Sequence, residues 1–156
     1  MLSVNQLEDY QVLRERLCPG MRVLIMGAGL IGCEFANDLS GAGFNVQVAD
    51  PSPRALAALL PADASAQLQA ALTALGVHWH FNHSVVQVNH HNGALQVQLS
   101  NGETTEVDVV LCAIGLRANT AWLQASNLNC DKGVVVNRFL QTSDPHVYAL
   151  GDVAQY

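Results

Sequence analysis

The sequence predicts an α/β domain of three layers, built on a parallel β-sheet into which a three-stranded antiparallel meander is inserted. Three observations carry this reading. Short apolar, β-forming runs at 22–26, 44–49, 77–81 and 107–114 are separated by helical patterns or longer connections, the order that builds parallel sheets. Between the third and fourth runs, Asn92-Gly93 and Asn101-Gly102 each separate β-like stretches, a strong hairpin signal. Half of the 156 residues are apolar and only 13% are charged, which suits a sheet covered on both faces.

Taken in order, residues 4–17 read as a lead-in helix, with Leu7, Tyr10, Leu13 and Leu17 three or four apart and Pro19-Gly20 as the stop. Residues 22–26 form the first buried strand and run into Gly27-Ala28-Gly29-Leu30-Ile31-Gly32. Ile31, Phe35 and Leu39 then mark one face of a helix ended by Gly41 and Gly43. Residues 44–49 form the second strand, which ends on Asp50. Pro51-Ser52-Pro53 is a turn and 54–60 a short helix. Pro61 opens a firmer helix over 62–75, with Leu68, Leu72 and Leu75 on one face and Gly76 as its cap. Residues 77–81 are the third strand, and 84–90, 94–100 and 103–106 the meander. Residues 107–114 read as a buried central strand leading to the loop 115–120, at the carboxyl edge of the sheet. A helical piece around 121–126, an apolar run at 133–136 and the segment 147–152 close the chain.

The glycine run is a G-x-G-x-x-G in a strand-turn-helix-strand setting, and each residue type has a mechanical reason. Gly27 permits the tight turn, Gly29 leaves room for a pyrophosphate, and Gly32 lets the helix pack close to the strand. The free N–H groups of the first helical turn, Leu30, Ile31 and Gly32 among them, would hold phosphate oxygens. Asp50 lies 18 residues beyond Gly32. A carboxylate there accepts from adenosine ribose hydroxyls and repels a 2′-phosphate, which favours NAD over NADP. Arg54 is the nearby cation that opposes this preference. The glycine pattern by itself fits FAD as well as NAD.

Net charge is −6, which speaks against nucleic acid or an anionic membrane as a partner. No apolar run approaches the roughly 18 residues of a membrane span. The start, MLSVNQLEDYQ, is too polar for a signal peptide, so the cytoplasm is the expected location. The four cysteines, Cys18, Cys33, Cys112 and Cys130, contain no C-x-x-C pair and read as reduced thiols. Cys33 sits in the first helical turn, where a thiolate is favoured, but reads as a small packing residue. His78 and His80 share one strand face and read as partly exposed rather than as metal ligands. No side chain is required as an acid, base or nucleophile.

Four segments together resemble the FAD-dependent pyridine nucleotide–disulfide oxidoreductase superfamily: GAGLIGCEFA, the acid Asp50, VDVVLCAIGLRANT and TSDPHVYALGD. Within it, GAGLIGCEFANDL is most similar to the rubredoxin–NAD reductases, with the flavorubredoxin reductases close behind. The resemblance implies an NAD domain over 21–136, preceded by the lead-in helix of 1–20. Residues 137–156 would return to an FAD domain through a strand ending in Gly-Asp. It implies that Gly27, Gly29 and Gly32 cradle the NAD pyrophosphate and that Asp50 holds the ribose. Glu34 would point toward the nicotinamide carboxamide, and Ala113, Ile114 and Gly115 would line the nicotinamide side. Gly151 and Asp152 would meet the flavin, Asp152 accepting from a ribityl hydroxyl. Ala118 departs from the proline usual in the family. The superfamily's FAD-binding fingerprint and interface domain have no counterpart in these residues, so the chain is expected to be an isolated NAD domain, inactive alone. The implied reaction carries hydride from NADH to FAD and electrons to rubredoxin or a similar small iron protein. The alternatives are an NADH reductase of flavorubredoxin or ferredoxin type, and a non-catalytic NAD-binding module or relic.

Overall fold

The computed structural model describes residues 1–123 and 125–156, in two compact units, Met1–Gly115 and Leu116–Tyr156. In the first unit β1 (Leu2–Ser3), β2 (Arg22–Met26), β3 (Asn45–Asp50), β4 (His78–Phe81) and β8 (Val109–Cys112) form one sheet. Its order is β1-β8-β2-β3-β4, and every pairing is parallel. The helices α1 (Leu7–Arg16), α2 (Leu30–Gly41) and α3 (Ala62–Ala74) accompany it. A separate antiparallel sheet, β5 (Val85–His91), β6 (Ala94–Leu99) and β7 (Thr104–Val107), is the expected meander.

The central strands show why there are three layers. Val23, Ile25, Val46, Val48, Val109 and Leu111 are buried together with Leu13, Cys33, Ala36, Leu39 and Leu72 of the three helices. The intervening Leu24, Ala49 and Val110 are buried with Val97, Leu99 and Val107 of the meander. Successive strand side chains point to opposite faces, so one sheet serves two cores, helical on one side and β on the other. A slip of one residue would exchange every partner. Each fully buried Val, Leu or Ile is worth about 1.5–3 kcal/mol, so the register is strongly set.

Several expectations are corrected. The lead-in segment is more than a helix: Leu2 and Ser3 pair with Leu111 and Cys112 and add an edge strand. Two residues are too few to show a period. In α2 the buried residues are Gly32, Cys33, Ala36 and Leu39, whereas Ile31 is 45% exposed and Phe35 only partly buried. Small residues face the sheet because they allow the helix to sit close to it. Residues 54–60 form turns, with Leu56 at φ 50° and its carbonyl accepting from Leu59 and Leu60. In α3 Leu72 is buried but Leu75 is exposed, and Ser65 is the other buried residue.

The expected strand 107–114 is divided at Asp108. Val107 ends β7 and Val109 begins β8, so neighbouring residues serve different sheets. Asp108 marks the junction. Its Oδ2 accepts from the Arg22 backbone N–H at 2.8 Å and its Oδ1 from Arg22 Nη2 at 2.7 Å. The Asp108 N–H in turn donates to the Arg22 carbonyl.

In the second unit, β9 (Val134–Val135) pairs in parallel with β10 (Ala154–Gln155). Short 3-10 turns span Ala121–Leu123 and Gly151–Val153. Of the expected helical piece at 121–126, Ala121–Leu123 form a 3-10 turn, and residue 124 lies outside the described residues. Tyr148 makes an isolated bridge to Gln141, and the Ala154–Gln155 strand follows Gly151-Asp152.

Candidate functional site

The glycine loop joins the carboxyl end of β2 to the N-terminus of α2, and its three glycines are required for different reasons. Gly27 has φ 107°, and a Cβ there would collide with the Ala113 carbonyl. Its N–H donates to the Ala49 carbonyl at 2.8 Å, tying the turn to β3. A Cβ on Gly32 would strike the Gly27 carbonyl, so this glycine sets the closeness of α2 to the loop. Gly29 is the N-cap of α2, with an ordinary φ of −75° and nothing within 4 Å of where a Cβ would stand. Its lack of a side chain therefore serves open space rather than internal packing. The first N–H groups of an α-helix have no intrahelical acceptor, and here no side chain caps them. The helix dipole adds partial positive charge at the same place. Leu30, at 54%, and Ile31 are exposed around this end. The arrangement fits a phosphate group.

Asp50, the last residue of β3, lies beside this loop. Its Oδ2 accepts from the Ala28 N–H at 2.6 Å and its Oδ1 from the Ser52 N–H at 2.7 Å. Both oxygens are thus held in place, and each keeps a further lone pair for an incoming hydroxyl. The Leu56 N–H donates to the Ala28 carbonyl at 2.8 Å, folding the turn after β3 back onto the glycine loop. A cleft of about 130 Å³ results, bordered by Gly29, Asp50, Ser52, Arg54, Leu56 and Leu59 among others. Arg54 donates from Nη1 to the Leu60 carbonyl at 2.9 Å. Sequence reasoning missed the roles of Ser52 and Leu56. An Asp followed two residues later by a free backbone N–H is the signal of an Asx-turn and could have found Ser52.

Of the other expected site residues, Glu34 is exposed on α2. Ala113 donates from its N–H to the Met26 carbonyl at 2.8 Å, and its carbonyl lies against Gly27. Ile114 is 70% exposed and Gly115 has φ 104°. These residues share the carboxyl edge of the sheet with the glycine loop. Gly151 and Asp152 belong to the second unit, where both are exposed. Cys33 is buried, its Sγ 3.5 Å from the Ala28 carbonyl, and burial pushes its thiol up to about 11. It is a packing residue and not the thiolate that a helix N-terminus would favour.

Residues 2–156 match the family described as pyridine nucleotide-disulphide oxidoreductase. The chain is 44% identical over 156 residues to a rubredoxin-NAD(+) reductase of Alcanivorax borkumensis, covering 99% of this chain and 41% of that protein. It is 43% identical over 155 residues to a nitric oxide reductase FlRd-NAD(+) reductase of Pectobacterium atrosepticum, again with 99% and 41% coverage. It therefore spans about 40% of the length of the curated relatives it matches. Among solved structures, a ferredoxin reductase from Rhodopseudomonas palustris superposes with a TM-score of 0.91 at 30% identity. The match covers 98% of this chain and 38% of that one. The reductase of a covalent putidaredoxin reductase–putidaredoxin complex gives 0.88 at 29% identity, with 97% and 37% coverage. With the glycine loop, the anchored acid and the inserted meander in place, the chain belongs to the pyridine nucleotide-disulphide oxidoreductase family.

Proposed function

We propose that this chain is the NADH-binding part of a flavin-dependent oxidoreductase that passes hydride from NADH to FAD and electrons on to rubredoxin or a related small iron protein. The observation that carries the reading is the pairing of two features at one sheet edge. One is the uncapped α2 N-terminus with open space over Gly29; the other is the doubly anchored carboxylate of Asp50. When bound, NADH supplies the hydride and FAD accepts it. The protein binds and orients. Gly27, Gly29 and Gly32 shape the cradle, and the N–H groups of Leu30, Ile31 and Gly32 hold the pyrophosphate. Asp50 accepts from the adenosine ribose. Glu34 orients the nicotinamide carboxamide, Ala113, Ile114 and Gly115 line the nicotinamide side, and Gly151 and Asp152 serve the flavin. The location is the cytoplasm. No helix among the described residues is long and apolar enough to cross a membrane.

The acceptor rests on the relatives. Rubredoxin is named for one at 44% identity, and FlRd for another at 43%. That near-equality keeps a flavorubredoxin or ferredoxin-type acceptor as the second reading.

Cofactor preference tests the nucleotide site. NADH should bind more tightly than NADPH, because a 2′-phosphate would face Asp50, at a cost of about 1 to 3 kcal/mol for a partly exposed pair. Arg54 is engaged with the Leu60 carbonyl, which supports this preference. Calorimetric titration with both nucleotides decides: equal affinity, or tighter NADPH, refutes the assignment of Asp50.

A further inference from the structure

A second groove in the first unit, of about 570 Å³, lies at the other end of the parallel strands, where β3 and β4 begin. Gln47, His78, His80, Glu103 and Thr105 are among the residues lining it. His78 and His80 are two apart on β4 and so project from one face. Their ring centroids are 4.7 Å apart and their planes meet at 73°.

One ring of the pair is also hydrogen-bonded within the groove. Gln47 donates from Nε2 to Thr105 Oγ1 at 3.2 Å, which leaves its Oε1 facing His80 Nε2 at 2.9 Å. With the Gln47 amide assigned in this orientation its oxygen accepts, the His80 proton belongs on Nε2, and Nδ1 keeps its lone pair. Metal-ligating histidines are oriented in this way, one ring nitrogen held by a neighbour and the other free. Two imidazoles that share an ion at about 2.0–2.1 Å, with a ligand angle of roughly 90–110°, place their centroids about 4.5–5.2 Å apart. The observed edge-to-face pair, at 4.7 Å, falls within that range, which overlaps the range of an ordinary ring contact.

We propose that His78 and His80 form a two-histidine chelate for a divalent late transition-metal ion, the class for which imidazole is a preferred donor. Among the described residues no three His, Cys, Asp or Glu converge as a metal cluster. A bound ion would therefore have two protein ligands. Because β4 is an edge strand of the parallel sheet, a bound ion stabilises the folded state by mass action.

The test is a titration of the 156-residue chain with nickel(II) chloride at pH 7.5, followed by calorimetry and thermal melts. The expected result is about one nickel per chain with micromolar affinity, and a nickel-dependent rise in Tm. His78→Ala, at an exposed position, should weaken binding at least tenfold with an unchanged circular dichroism spectrum. Gln47→Leu, which leaves both imidazoles in place, should weaken it roughly tenfold or more by releasing the His80 tautomer. Replacing His90 and His91, exposed on β5, by alanine should leave it unchanged. Wild-type binding no tighter than that of His78→Ala overturns the proposal, as does a loss of binding on removing His90 and His91.

Discussion

Gly27, Gly29 and Gly32 look alike in the sequence and differ in the structure. Side chains at Gly27 or Gly32 would meet protein backbone, whereas one at Gly29 would meet nothing. Substitution at Gly29 therefore separates binding from folding. Gly29→Val should leave the circular dichroism spectrum intact. The cost in helix capping is on the order of 1 kcal/mol, because glycine is a better N-cap than valine. The new side chain would occupy the open space proposed for the pyrophosphate, so the enhancement of NADH fluorescence on binding should disappear. Retained enhancement in a folded variant would refute the cradle. Asp50 makes the complementary point. Its carboxylate both closes the turn after β3 and faces the cleft, so architecture and the proposed ligand contact fall on one residue.

At the level of elements, the junction between meander and parallel sheet depends on Arg22 and Asp108. The Arg22 guanidinium holds the Asp108 carboxyl below its ordinary 3.8, chiefly by the side-chain hydrogen bond and then by the backbone one. A depressed carboxylate pKa means stability that is present above the unfolded value and lost as pH falls through the folded one. Asp108→Asn should therefore lower Tm at pH 7. The difference from the wild type should shrink below about pH 4 as the native carboxyl is protonated. Thermal melts across pH 2.5 to 7 measure this, and a constant difference over that range would show that the clamp is not electrostatic. Cys33 behaves in the opposite sense. With its thiol raised from 9.0 to about 11, its contribution is full below pH 9 and is lost only in alkali.

For the molecule as a whole, the 41% share of its relatives' length shapes the expected activity. Hydride transfer needs nicotinamide and flavin aligned within about 3–3.5 Å, positioning worth roughly 7–11 kcal/mol of barrier. The 156-residue chain should bind NADH yet not oxidise it, even with added FAD and ferricyanide. A chain extended to the length of the rubredoxin-NAD(+) reductase should oxidise it. Oxidation by the short chain above a Gly29→Val control would contradict the proposed division of labour. An extended chain that binds NADH and FAD but stays inert would favour the non-catalytic module.

Sequence alone determined the parts governed by local chemistry. The glycine turn, the acid ending β3, the two Asn-Gly hairpins and the Pro61 helix start each depend on a few adjacent residues, and each was legible. Only the tertiary structure decided what depends on distant partners. It assigned Leu2 and Ser3 to a sheet completed by residues more than a hundred positions away. It turned α2 so that Cys33 and Ala36 face the core and Ile31 does not, because closeness to the strand favours small side chains over an apolar stripe. It cut the run 107–114 at Asp108, because that residue's partner, Arg22, lies 86 positions earlier. Periodicity records which side of an element is apolar; it carries no information about which other element covers that side or how closely the two approach.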